Sequence, residues 1–564
     1  MPNETAHIDK IQIKVGGADL PTTMMNLLYL AEVENTLYLP SMFTLRFHDD
    51  DFTMMDNSLF ALGAQIEISM GSAKDPQSTV IFKGEITALE PEFSDDSVAV
   101  FVLRGYDVRH RLQKAHTQTF LNVTDSDIVK KLLQAAGIQV GKVEATTVVR
   151  EHLFQDNQID LALIQSLAQR NGYELTVTEA GKLDFCKPST AAAIDLKWRE
   201  NLRSFRPRLS LAEQVGSVEV RSWDRLQKKA IVTTATPDAH VPKIGGQALA
   251  AAKGSVYSAS KFTETNVPVE NQTEAQNLAT ALATQIGVGF AEAEGLAFGN
   301  AALKPGVRVK IGNIGTRFGG EYTLSSTRHV YSAYDGYDTQ FTIEGTRPQQ
   351  VSDLVAGTAE RPTTWQGVVP AIVTDTVDPK KMNRVKVKFP TLNDTHTSTW
   401  APLVAPGAGA DRGIQWLPEV NDEVLVAFEA GDINHPYVLG GLWNGKDAPP
   451  DKAAVSAGKT SIRIMKTRVG HVLRMADEDS GAIKKGIQII DSSASNKIII
   501  DTTTKKITIE SAGDIEVKST TNMTFTATGN VEIKGMAVKV EAQSTLDLKA
   551  TGPANLKGAV VNIN

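Results

Sequence analysis

At 564 residues the chain is long enough for about four domains, and its 41% hydrophobic and 22% charged residues are an ordinary globular balance that excludes wholesale disorder and a membrane-embedded class. A formal net charge of −7 offers no basic field for a phosphate backbone, which excludes nucleic acid as the expected partner. Cys186 is the only cysteine, so no intrachain disulfide and no cysteine-rich metal site can form; Met1–His7 lacks the basic residues and apolar run of a signal peptide, and cytoplasmic folding is expected.

Residues 1–350 mix short alternating strands with a few helices, an α+β region with a β-rich balance. Ile66–Met70 and Ala99–Leu103 read as strands, and Tyr334-Asp335-Gly336-Tyr337 supplies a hairpin turn. A helix is predicted after its cap Thr124, with Asp127 in the first turn, Ile128, Val129, Leu132, Leu133 and Ala136 as one apolar stripe, and Gly137 as its stop. A second is predicted from Asp160 to Arg170, with Ile164, Leu167 and Ala168 inward and Gly172 just beyond. A third, Thr273 to Ile286, buries Leu278, Leu282 and Ile286 before Gly287. Large apolar residues then thin out, and Pro348, Gly357 and Pro362 punctuate the chain, which places a linker over 351–364.

From Trp365 to Trp443 the pattern predicts five or six short strands, among them the strictly alternating Arg384–Phe389. Prolines 390, 402, 406, 418 and 436 punctuate them, which suits a small OB-like barrel over 365–450. A connector, 451–460, leads to the last region, 461–564.

That region is repetitive. Apolar pairs recur as Ile507/Ile509, Ile515/Val517, Met523/Phe525, Val531/Ile533, Val538/Val540 and Leu546/Leu548, eight residues apart with one step of seven. Residues two apart share one face of a strand, and Gly513, Gly529, Gly535 and Gly552 lie where the chain must change direction. A strand with two inward side chains cannot bury them alone, so each repeat must stack on neighbours. The pattern leaves open whether three octads make one coil of a single chain or three chains interwind.

Several segments resemble phage late control D proteins and the VgrG spikes of type VI secretion. These are Arg104-Gly105-Tyr106-Asp107 with Arg109-His110-Arg111-Leu112, Thr119-Phe120 with Thr124–Ile128, and Leu167–Glu174 with Gly181-Lys182-Leu183. Val385–Pro390, Pro418–Val424 and Gly431–Tyr437 follow the same pattern further along. The resemblance implies a homotrimer with a hub of two related barrels per chain, an OB-fold collar and an intertwined triple-stranded β-helix that serves as a needle. It also implies a six-fold inner tube on the hub, baseplate components around it, toxin cargo, and a phage-tail-like particle assembled in a bacterial cytoplasm. About ten residues, 451–460, separate barrel and needle, which leaves no room for the lysozyme domain of some phage relatives. With strand alternation still running at Ala559–Asn564, a PAAR-like tip protein is expected to seat on Leu556, Val560, Val561, Asn562, Ile563 and Asn564.

Signals of chemistry are weak, and no catalytic, cofactor or metal residue is expected. Gly440–Asp447 nearly fits a P-loop, but Asp447 stands where the Mg²⁺-binding hydroxyl belongs and Ala448-Pro449-Pro450 cannot open a helix, so a barrel-closing turn is expected. The ten histidines are dispersed, with His110 and His116 the nearest couple, and His471 reads as the start of the first needle strand. Asp49-Asp50-Asp51 lacks EF-hand spacing and reads as a solvated loop; Asp95-Asp96 reads as a turn, and Cys186 as structural. Trp365, Trp400, Trp416 and Trp443 are expected to anchor the barrel core.

Overall fold

The structure is a computed structural model that describes residues 10–37, 39–72, 78–95, 98–237, 244–245, 257–344, 365–481 and 483–563; the expected linker 351–364, Asp96 and Asn564 lie outside them. It is mainly β, and it falls into two compact units, 1–444 and 445–564.

In the first unit, seven strands from residues 10–107 and four from residues 202–343 join in one eleven-stranded sheet. The seam is the antiparallel pair Leu28–Thr36 with Ser326–Ser332, where Val33 stands opposite His329. Period-two alternation puts Phe43, Leu45 and Phe47 into one core and Phe341 and Ile343 into another, and Ala301 and Tyr337 of the second half reach into the first. Two cores on a shared sheet therefore stand where two barrels are expected. Ile66–Met70 lies in the strand Gln65–Gly71 and Ala99–Leu103 in Ala99–Asp107. The Asp335-Gly336 turn closes a hairpin, with Gly336 at φ 79°, a conformation glycine adopts at little cost.

Between the halves sits an insertion with its own core. Thr124 accepts from the Asp127 amide and starts the helix Asp125–Ala135, which buries Ile128, Val129, Leu132 and Leu133. The helix Asp160–Asn171 ends on Gly172 at φ 65°. The third helix, Gln272–Val288, differs from its expected inward face: Ala275, Ala279 and Ala283 are buried with Leu278, while Leu282 and Ile286 are half-buried. Small side chains allow close packing there.

The Arg104–Arg109 motif acquires a physical meaning. Arg109 and Asp107 are both buried and paired at 2.7 Å, and the guanidinium also donates to Ser41 Oγ at 2.9 Å and the Thr36 carbonyl at 3.1 Å. Asp107 in turn accepts from the Ser41 amide at 2.9 Å. One ion pair thus ties the end of a core strand to the loop 36–41. Asp49 corrects the solvated-loop expectation: it is buried and accepts from the amides of Met54 at 2.9 Å and Met55 at 2.8 Å, so it caps a turn.

Residues 365–444 form a four-stranded sheet ordered Lys386–Lys388, Val368–Asp375, Glu423–Phe428, Pro436–Gly441, where five or six strands were expected. Isolated bridges such as Val385 to Ala401 and Leu403 to Val438 replace the rest, in the stretch where Pro402 and Pro406 remove donors. Trp365 packs against this core, but Trp416 and Trp443 are 51% and 71% exposed and anchor nothing in it. The core takes in Phe154 from the strand Val149–Ile159, which docks the hub on the barrel.

Two variants check this reading. Arg109→Met strands a buried carboxylate, and a loss of roughly 3–5 kcal/mol is expected in urea unfolding of the hub; a loss under about 1 kcal/mol would contradict it. His329 is wholly buried; its Nε2–H donates to the Leu303 carbonyl at 3.0 Å, and Nδ1 accepts from the Tyr337 hydroxyl at 2.7 Å. Burial pushes its pKa down to about 4. Between that value and the ordinary 6.5 the unfolded chain binds the proton and the folded one does not, so stability falls as pH drops through this window, by roughly 3 kcal/mol in all. His329→Gln is expected to flatten this slope in pH-dependent melting, and an unchanged slope would contradict the assignment.

Candidate assembly interface

The second unit begins with a five-stranded antiparallel meander: Ile462–Lys466, Val472–Ala476, Gly486–Ile490, Lys497–Asp501 and Lys506–Glu510. This corrects the expectation of one β-helix from 461 onward. The reason lies in the connections. The apolar pairs at 487, 498 and 507 are eleven and nine residues apart, leaving six- and four-residue loops that can reverse the chain. Asp491 holds the first loop by accepting from Asn496 Nδ2 at 2.8 Å, and Asp501 the second by accepting from the Thr503 amide at 2.9 Å. Both aspartates are visible signals that the octad count passed over. His471 precedes the second strand, and its Nδ1 accepts from the Ser492 amide at 3.1 Å.

Register sorts the meander's side chains by face. Leu473 stands opposite Ile489, Ile489 opposite Ile498, and Ile498 opposite Ile509; beside this row run Met475, Ile487, Ile500 and Ile507. All eight are exposed, from 37% for Leu473 to 67% for Ile507. The opposite face carries Arg474 bonded to Gln488 at 3.1 Å, with Gln488 buried. The chain thus presents one continuous apolar face.

Beyond Glu510 the backbone runs in six-residue extended segments, 514–519, 522–527, 530–535, 537–542, 545–550 and 553–558, separated by bends. Gly513, Gly529 and Gly552 lie in these bends and Gly535 just before one. Within the described residues no segment of 511–563 pairs with another part of the chain. Ile515, Val517, Met523, Phe525, Val531, Ile533, Val538, Val540, Leu546 and Leu548 are all exposed, Phe525 at 77%. Leu556, Val560, Val561 and Ile563 are exposed as well, Ile563 at 84%, and Asn562 stands among them. The other face of the segments carries charge pairs such as Lys518 with Glu516 at 2.6 Å and Lys539 with Glu541 at 2.8 Å.

A further repeat lies over the octads. Residues 527–535, ATGNVEIKG, return at 550–558 as ATGPANLKG, 23 residues on, and the bends at 520–521, 528–529 and 536 return at 543–544, 551–552 and 559. Three segments make one recurrence, as a chain winding around a three-sided prism requires.

Elsewhere the chemistry is quiet. Among the described residues no three His, Cys, Asp or Glu side chains gather as a metal site. His110 sits on Glu85 and His116 on Asp160, and burial pushes the Cys186 thiol up, away from thiolate. Gly440 and Gly441 close the last strand of the four-stranded sheet.

The fold is like that of solved VgrG-type proteins. The chain belongs to the family described as the Alg8 N-terminal domain, whose profile matches residues 8–332 of the 564. A second profile, the type VI secretion system/phage-baseplate injector OB domain, matches residues 369–443. The chain is 34% identical over 71 residues to the type VI secretion system spike protein VgrG2a of Pseudomonas aeruginosa, a match spanning 12% of this chain and 8% of that protein. Among solved structures, the lidless PdpA-VgrG complex has a TM-score of 0.50 at 12% identity, covering 90% of this chain and 99% of that one, which is a likeness of fold. An E. coli component of the type VI secretion system with structural similarity to T4 bacteriophage tail proteins has a TM-score of 0.47 at 16% identity over 77% of this chain and 99% of that one.

The apolar face makes a direct prediction. Val531→Asp sets an unpaired carboxylate in a face that must be covered, and loss of the folded C-terminal region is expected, since an uncompensated buried charge costs several kcal/mol. Lys534→Asp, on the charged face, is expected to be tolerated. Equal melting temperatures for the two variants would show that the faces are assigned the wrong way round.

Proposed function

We propose that this protein is the trimeric central spike of a contractile injection system, joining a six-fold inner tube to a membrane-puncturing tip. The observation that carries the reading is the unburied apolar ladder of residues 465–563 together with the absence of in-chain pairing in 511–563. Each covered Val, Ile or Leu stabilises by roughly 1.5–3 kcal/mol, and once covered the backbone loses water and needs hydrogen-bond partners, which another chain supplies. Three copies around one axis meet both needs. The 23-residue recurrence of three segments supports the same threefold winding.

In this reading residues 1–350 form the hub, 365–450 the collar and 461–564 the needle. Two related half-hubs per chain give a trimer six similar surfaces, which suits a six-fold tube. Residues 556–564 seat a PAAR-like tip protein, baseplate components surround the hub, and the work is mechanical, with toxin cargo carried and no reaction catalysed. Assembly takes place in the bacterial cytoplasm, in a phage-tail-like particle.

Native mass spectrometry is expected to give three times 60.9 kDa, about 183 kDa; a monomer would overturn the reading. Deleting 557–564 is expected to abolish capture of the tip protein while leaving that mass class intact, and undiminished capture would remove the proposed seat.

A further inference from the structure

Three of the ten histidines, His152, His396 and His435, lie at the junction where the strand Val149–Ile159 docks on the OB barrel. A cavity of about 270 Å³ opens there between that strand, two hub helices and the turn 430–435. Phe154 in the barrel core and the ion pairs of Lys380 with Glu151 at 3.0 Å and Arg225 with Glu429 at 2.5 Å hold the junction, together with directional hydrogen bonds. The Phe154 amide donates to Asn434 Oδ1 at 2.6 Å, and Trp365 Nε1–H donates to Asp156 Oδ2 at 2.5 Å. His152 Nε2–H donates to the Thr397 carbonyl at 2.9 Å, which leaves Nδ1 buried and without a hydrogen-bond partner. A neutral ring tolerates this, because an unprotonated nitrogen is a weakly demanding acceptor; a protonated one is a buried cation with a stranded donor.

The charges facing His152 sharpen the contrast. From the barrel it meets Lys386 and His396, both of them cationic or able to become so. The carboxylates that line the cavity are committed elsewhere: Glu274 to Arg150 at 2.9 Å and Arg170 at 3.4 Å, Asp156 to Trp365, and Asp432 to His435 at 3.1 Å, with Glu270 3.9 Å from the same ring. His435 thus faces two acids, whereas His152 faces cations and, apart from the Thr397 carbonyl, only the polar side chain of Asn434.

We propose that this junction is an acid-sensitive clamp, closed while His152 is neutral and opened when that ring takes a proton, so that the OB barrel comes free of the hub strand. Burial and the charge of Lys386 hold the docked ring below the ordinary histidine range. The undocked ring titrates normally, so lowering the pH through that range favours the undocked state. The clamp rests on the hub and barrel alone; only its use, uncoupling the needle from the hub, rests on the function proposed above.

Hydrogen–deuterium exchange of the full-length protein tests it, read on peptides covering 150–157 because the Phe154 amide donates to Asn434 of the barrel. Corrected for intrinsic rates, exchange is expected to rise at least tenfold from pH 7.5 to 5.0, with a midpoint below the ordinary histidine value of about 6.5. His152→Gln, which keeps an N–H for the Thr397 carbonyl, is expected to abolish the rise, and His435→Gln to retain it. A rise under twofold in the native protein, or an equal rise in His152→Gln, would overturn the clamp. Should His152→Gln already exchange fast at pH 7.5, the native profile decides: a midpoint below pH 4.5, where ordinary carboxyl groups titrate, overturns it.

Discussion

Two apolar side chains per six-residue segment, with nothing in their own chain to cover them, are the constraint on which the C-terminal unit depends. A globular domain solves burial by folding back on itself. Beyond Glu510 each segment ends at a bend and moves on without pairing with the segment before it. The ladder of Ile487, Ile500 and Ile507 passes into Ile515 and Val517 without a break in chemistry, although the backbone changes from meander to winding segments. In the meander, loops of six and four residues reverse the chain, whereas beyond Glu510 bends of one or two residues join segments that do not pair with one another.

The first unit solves a different problem, that of holding several sub-structures in one rigid body. It does so with a few buried polar ties set among apolar cores. Arg109 and Asp107 fasten the loop 36–41 to the first core, and Phe154 carries hub side chain into the barrel core. Such ties are costly to break on one side only, which makes them good fixings and, where a histidine is involved, good release points.

Much of this was legible in the sequence. Helix caps at Thr124 and Gly172, the Asp335-Gly336 hairpin and the octads all follow from local chemistry, and the structure places them where that chemistry requires. The merging of two half-hubs through Leu28–Thr36 and Ser326–Ser332 was not legible, because pairing between strands about 300 residues apart leaves no periodic trace. The meander was half-legible: Asp491 and Asp501 mark its loops, but apolar spacing alone reads the same for a reversing strand as for a winding one. The exposed Trp416 and Trp443 show where residue type misleads, since a tryptophan in a small barrel reads as core until the barrel proves complete without it.

The central claim is that three chains share the C-terminal winding, and the height of the isolated needle tests it most directly. Five meander strands, the six segments from 514 to 558 and the final stretch 560–563 stack as twelve levels if each chain supplies one segment per level on each face in turn. At about 4.8 Å per level the rod is then about 58 Å tall. A chain coiling on itself would spend three segments on every level beyond the meander and end near 35 Å by the same spacing. Electron microscopy of the spike distinguishes the two: a threefold rod of about 55–60 Å is the expected result, and a rod near 35 Å would contradict the account.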